Sequence, residues 1–133
     1  MESYMNRISN TGIVPVVKIL EKEDAYPLAK ALLNGGIDVI EVTYRSEHAT
    51  SAIQTISEQL PDMLVGAGTV LSVEQAKEAV EAGAKFIITP GFNTKVVQWC
   101  LDHDVEVYPG VSTASEVEMA LSMGLTQLKF FPA

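Results

Sequence analysis

The sequence predicts an α/β protein built on a parallel sheet, and three observations carry that prediction. A unit of apolar run, polar turn, amphipathic stretch and glycine recurs about every 20 to 25 residues, which is the rhythm of βα repeats. The apolar runs are near-continuous rather than alternating, as in strands covered on both faces. The connections are short, which suits parallel pairing with helices packed outside. Two architectures meet these conditions, a doubly wound open sheet and an eight-fold barrel. No Gly-x-Gly-x-x-Gly follows the first run, and "GAGT" in the third is not that fingerprint, so an open sheet lacks its usual dinucleotide ligand.

The first run, IVPVVKI (13–19), leads to a helix from about Asp24, with Pro27 in the first turn, where a missing amide hydrogen costs little. Gly35 is expected to close it in a left-handed cap. The second run, IDVIEVTY (37–44), leads through another helix to MLVGAGTV (63–70). Ser72 and Gln75 then fit a capping box, in which a hydroxyl accepts from a free amide and the third residue reaches back. Gly83 ends that helix. KFIITP (85–90) precedes a helix over 95–101, with Val96, Val97 and Cys100 at core spacing. VEVYPG (105–110) leads to a second capping box, Thr113 with Glu116, on a helix ended by Gly124. LTQLKFFP (125–132) is the last run, so five helices connect six strands.

Nine basic against 17 acidic residues leave a net charge of -8, and nucleic acid or an anionic membrane would need clustered Lys and Arg. Neither is expected as a partner. A hydrophobic share of 47% with 20% charged residues argues against disorder, and 133 residues is the length of one domain. Cys100 is the only cysteine, so no disulfide closes within the chain and no thiolate cluster holds zinc or an iron–sulfur group. His48 and His103 lie far apart in sequence, and no metal or other cofactor is expected. The opening MESYMNRISNTG has neither the apolar core nor the cleavage site of a secretory signal. No run approaches the ~18 to 20 apolar residues of a membrane span, and a cytoplasmic protein is expected.

Side chains alternate across a strand. In the second run Val39, Glu41, Thr43 and Arg45 therefore share one face, with Ile40 and Val42 opposite. In the sixth, Gln127, Lys129 and Phe131 share one face, with Leu128 and Phe130 opposite. The apolar faces belong under helices, so the polar ones point toward the axis and carboxyl-end mouth of a barrel. A lysine there is expected to have its pKa lowered by loss of water and to attack carbonyls as a neutral amine. The resulting imine is an electron sink that lets a neighbouring carbon–carbon bond break if a second group moves the protons. Glu41, its carboxyl raised by burial, is the candidate. Arg45 suits a bidentate grip on a substrate carboxylate, and Thr69 adds a hydroxyl donor.

Each of these residues also has a plainer reading. A lone Lys in a strand more often snorkels to water, and Lys129 with Glu41 fits a buried ion pair. Arg45 fits a helix cap or a solvated side chain, and the glycines of GAGT fit a tight turn with close packing. His48 and His103 read as helix-face and loop residues, and Trp99 and Met119 as core or interface.

Five stretches, GGIDVIEVTYRS, VGAGTVLS, AGAKFIITPGFN, YPGVSTASE and LKFFPA, occur in order, and together they resemble the 2-keto-3-deoxy-6-phosphogluconate aldolase family, also described as acting on 4-hydroxy-2-oxoglutarate. The resemblance covers nearly all of residues 10–133. It implies a class I, metal-independent aldolase on a (β/α)8 (TIM) barrel assembled as a homotrimer. It also implies Lys129 as the Schiff-base lysine and Glu41 as the acid–base residue. Arg45 and Thr69 would hold the carboxylate of the pyruvyl portion of a keto-acid substrate, with Pro90 and Phe131 lining the pocket. Pro90 and Phe131 rest on the resemblance alone, whereas parity reaches Lys129, Glu41 and Arg45 independently.

Members of that family continue through two further βα units whose glycine-rich turns and helix amides hold phosphate. The expectation is therefore one barrel domain over 1–133, incomplete at its carboxyl end, with strands one and six as open edges and no helix to cover Leu128 and Phe130. Two function classes follow: an aldolase working through Lys129, or an inactive half-barrel that serves as an association module.

Overall fold

The computed structural model describes residues 3–133. Its strands are β1 Val16–Val17, β2 Val39–Thr43, β3 Leu64–Gly68, β4 Phe86–Thr89, β5 Glu106–Val111 and β6 Lys129–Phe130. Its helices are α1 Met5–Thr11, α2 Ala25–Asn34, α3 Ala49–Gln59, α4 Val73–Ala82, α5 Thr94–Asp102 and α6 Ala114–Ser122. All strand pairs are parallel, and the strands stand in the order β1-β2-β3-β4-β5-β6. A doubly wound sheet reverses its strand order partway; here every strand adds beside the last, and α2 to α6 make the crossovers.

The sheet also curls. Four strand spacings of about 4.8 Å would put β2 and β6 roughly 19 Å apart in a flat sheet. Yet the Glu41 and Lys129 side chains, one on each, meet at 3.9 Å. The arrangement is a curled half-barrel with β1 and β6 at its two edges. Those edge strands are two residues each, shorter than the apolar runs that predict them, because each has a neighbour on one side only.

Apolar clusters lie on both sides of the sheet. Ile40, Val42, Ala67 and Ile87 point outward against Ala29, Ile53, Ile56, Ala76, Val96 and Cys100 of the helices. The smaller cluster, Val39, Leu64, Phe86, Ile88 and Tyr108, fills the concave face, with the Phe86 and Tyr108 rings 5.7 Å apart. The face assignment from strand parity therefore holds for β2. Gly66 belongs to this face because a Cβ there would stand 2.1 Å from the Phe86 ring. On β6, Phe130 is 68% exposed, with no helix packed over it among the described residues.

The helix ends follow local chemistry. Ser72 and Thr113 each accept from the amide three residues on, at 3.2 Å. The reciprocal bonds of Gln75 and Glu116 fall one residue earlier than a capping box requires, on the amides of Leu71 (2.8 Å) and Ser112 (3.0 Å). Gly83 and Gly124 adopt left-handed φ values of 116° and 84°. Gly35 does not: its φ is -87°, and Gly36 at 87° takes the left-handed position instead.

No periodic pattern announces α1, whose seven residues include none that is buried. Long-range polar bonds hold it. The Tyr4 amide donates to both Glu106 carboxylate oxygens at 2.9 and 3.1 Å. Arg7 Nε donates to Asp38 at 3.1 Å, its Nη2 donates to the Asp62 carbonyl, and Thr11 Oγ1 donates to Asp38 at 2.5 Å. The Thr11 hydroxyl, then Arg7, hold the Asp38 carboxyl below its ordinary value. Asp38, Asp62 and Glu106 lie at the amino ends of β2, β3 and β5, so α1 closes that end of the curl with Tyr4, Met5 and Ile8 under the concave cluster.

Gly66→Ala is expected to cost about 1–3 kcal/mol in urea unfolding, because the Phe86 ring must leave its place. Gly91→Ala, whose Cβ would meet nothing within 4 Å, is expected to stay within about 0.5 kcal/mol.

Candidate active site

Glu41 occupies the middle of β2, opposite Val16 on one side and Gly66 on the other, and is 2% exposed. The residue two places past Gly66 explains how its carboxyl fits. A Cβ on Gly68 would stand 1.8 Å from Glu41 Oε1, so the carboxyl fills the volume of an absent side chain. Among the described residues that oxygen accepts no hydrogen bond. Burial consequently raises the Glu41 carboxyl above its ordinary value, and the opposing pull of the Lys129 and Arg45 cations is weaker.

Lys129 begins β6 opposite Gly110. Its Nζ lies 3.9 Å from Glu41 Oε1 and 4.8 Å above the centroid of the Phe131 ring. The ion-pair reading is met in distance, but 3.9 Å is too long for a hydrogen bond. Among the described residues Lys129 keeps partial access to solvent. The side chain is 29% exposed, since β6 is an edge and Phe131, itself 43% exposed, shields only one side.

Arg45 stands just past β2 and Thr69 just past β3. Pro90 follows β4 and Phe131 follows β6. In a parallel sheet those positions share the carboxyl end. Direct contacts join Lys129, Glu41 and Phe131, and Arg45 reaches the group through its field on Glu41. No hydrogen bond or ion pair joins Thr69 or Pro90 to the pair among the described residues. Thr69 holds a φ of 52°, a left-handed conformation costly for a β-branched residue. Pro90 contributes its backbone: a Cβ on Gly110 would stand 2.1 Å from the Pro90 carbonyl oxygen, so β5 can pass there only as glycine.

Two residues enter the site that motif reading left aside. One is Gly68, which GAGT alone presents as a turn glycine. The signal for it was volume: a Glu on a concave face needs a neighbour without a side chain. The other is Thr43, on the same face as Glu41 and 1% exposed, whose hydroxyl accepts from Arg45 Nε at 3.2 Å.

Other reactive side chains lie elsewhere. Cys100 is buried under the helices, and burial pushes its thiol up to about 12, so it stays protonated. His48 precedes α3, and His103 ends α5 stacked on Trp99 at 4.4 Å between centroids. Among the described residues no three His, Cys, Asp or Glu side chains are grouped to hold a metal ion. No described helix is long and apolar enough to cross a membrane.

The Glu41 carboxyl is raised on folding, so its contribution to stability is full below 4.5, its ordinary value, and is lost as pH rises through the folded value. Glu41→Gln cannot ionise. Chemical unfolding across that range is expected to show the wild type losing stability relative to Glu41→Gln as pH rises. A difference that does not vary with pH contradicts the burial argument.

The sequence profile of the family described as "KDPG and KHG aldolase" matches residues 4–133. A 2-dehydro-3-deoxy-phosphogluconate aldolase of Treponema pallidum is 47% identical over 133 residues, covering 100% of this chain and 63% of the relative. The KHG/KDPG aldolase of Escherichia coli K12 is 44% identical over 127 residues, covering 95% and 60%. Among solved structures, a KDPG aldolase from Legionella pneumophila, with pyruvate captured at low pH as a covalent carbinolamine intermediate, superposes with a TM-score of 0.87 at 43% identity. That match covers 90% of this chain and 58% of that one. The chain thus spans about three fifths of the length of the relatives it matches, and within that span it belongs to the KDPG and KHG aldolase family.

Proposed function

We propose that this chain carries the carbon–carbon cleaving chemistry of a class I aldolase, as part of one (β/α) barrel domain. The observation that carries the reading is the buried Glu41 carboxyl, with an oxygen free of hydrogen bonds among the described residues, facing Lys129 Nζ at 3.9 Å. The amine of Lys129 adds to the ketone of a 2-keto acid to give a carbinolamine. Glu41 gives the hydroxyl a proton, and water leaves as the imine forms. Glu41, now a carboxylate, takes the proton of the substrate's 4-hydroxyl. The bond between C3 and C4 breaks, its electrons pass into the imine as an enamine, and an aldehyde departs. Protonation at C3 and addition of water release pyruvate and restore the amine.

Arg45 grips the substrate carboxylate, Thr69 adds a hydroxyl donor, and Pro90 and Phe131 line the pocket. The pyruvate carbinolamine held by the Legionella relative supports the amine chemistry. The names of the relatives support a keto-acid substrate: 2-keto-3-deoxy-6-phosphogluconate cleaved to pyruvate and glyceraldehyde 3-phosphate, or 4-hydroxy-2-oxoglutarate cleaved to pyruvate and glyoxylate. Homotrimeric assembly and cytoplasmic residence, implied by the family resemblance, belong to the same proposal. A second reading, an association module without turnover, is favoured by the exposed Phe130 on an edge strand.

Borohydride reduction in the presence of pyruvate, followed by peptide mass mapping, is expected to place the adduct on Lys129. An adduct on another lysine, or none, rules the mechanism out. Glu41→Gln is expected to lower aldol cleavage by about 10² to 10⁴. A soluble oligomer in size-exclusion chromatography with no cleavage of either substrate favours the module instead.

A further inference from the structure

We infer that Thr43 is a positioning residue that aims the Arg45 guanidinium, and that it thereby sets the affinity of the site for the carboxylate of a keto acid. The inference rests on the reading of Lys129 and Arg45 given above. Thr43 is the last residue of β2, on the concave face between Glu41 and Arg45, and is 1% exposed.

A hydroxyl has one hydrogen and two lone pairs. Thr43 Oγ1 gives its hydrogen to the Val17 carbonyl of β1 at 3.0 Å. Only lone pairs remain, and one of them accepts from Arg45 Nε at 3.2 Å. The direction of the chain is therefore fixed: Arg45 donates to Thr43, and Thr43 donates to the β1 backbone. Each bond polarises the next.

The consequence falls on an exposed residue. Arg45 lies outside the strand, on a long side chain with much rotamer freedom to lose on binding a ligand. Thr43 is its one hydrogen-bond partner among the described residues. With Nε engaged, the plane of the guanidinium is set and both Nη groups stay free to donate in parallel to a carboxylate. A valine at this position keeps the shape and loses both bonds. Serine keeps both.

The test is borohydride trapping on the whole chain, titrated with pyruvate and, separately, with acetone, which has the ketone and lacks the carboxylate. Thr43→Val is expected to raise the half-saturating pyruvate concentration roughly tenfold, the scale of one hydrogen bond to a charged group, and to leave that for acetone unchanged. Thr43→Ser is expected to stay near wild type. In an Arg45→Ala background Thr43→Val should add nothing further for pyruvate. Circular dichroism checks that each variant folds, and if Thr43→Val does not, Thr43→Ala replaces it. Equal weakening for both ketones, no change for pyruvate, or an undiminished effect in the Arg45→Ala background overturns the inference while leaving the lysine mechanism standing. Absence of a wild-type pyruvate adduct on Lys129 overturns both.

Discussion

Glu41 brings a carboxyl group into the concave face of the sheet, where two cations offset only part of the water it has lost. An ionised carboxylate without a hydrogen-bond partner is costly to bury. The surroundings must supply room, a nearby positive charge and support from below. Gly68 supplies the room, and Lys129 supplies the charge from the opposite edge of the curl. Val39, one inward position earlier on β2, supplies the support as a member of the apolar cluster under which α1 packs.

Curvature is what lets those pieces meet. In-order parallel pairing, with every crossover a helix on the outside, bends the sheet and brings β6 within reach of β2. The concave face then divides into two zones. Its amino-end half is packed with Phe86, Tyr108 and their neighbours and is bolted to α1 through Asp38 and Glu106. Its carboxyl-end half holds Glu41, Thr43 and Lys129, with Arg45, Thr69, Pro90 and Phe131 just past the ends of four strands. Apolar packing is concentrated in the first zone and polar side chains in the second, a division that matches the barrel pattern of a packed interior with its polar mouth at the carboxyl end.

Much of this was legible in the sequence because a strand's period of two assigns faces without knowledge of what the faces meet. That rule, with the apolar faces assigned to the helices, puts Glu41, Thr43 and Lys129 on the concave side. The helix starts at Ser72 and Thr113 were legible for a similarly local reason. What escaped depends on partners far away along the chain. The bond from Tyr4 to Glu106 spans 102 residues, and α1 has no apolar period of its own to announce it. Gly68 looks like a turn until the Glu41 carboxyl is seen in its missing volume. The left-handed Thr69 could not be anticipated, because a β-branched residue disfavours that conformation. In "GG" at 35 and 36 either glycine could have turned, and only the backbone shows that the second does.

The pairing pattern also distributes stiffness unevenly between the two facing groups. β2 is braced by β1 and by β3, the latter through five successive partners, whereas β6 holds to β5 alone through two. Between Lys129 Nζ and Glu41 Oε1 the separation exceeds a hydrogen bond by roughly 1 Å. Glu41 is held between two ladders, with its carboxyl packed over Gly68. Lys129 is tied by one short ladder to β5. Among the described residues the carboxyl is therefore the more firmly braced member of the pair, and the amine stands on the shorter ladder.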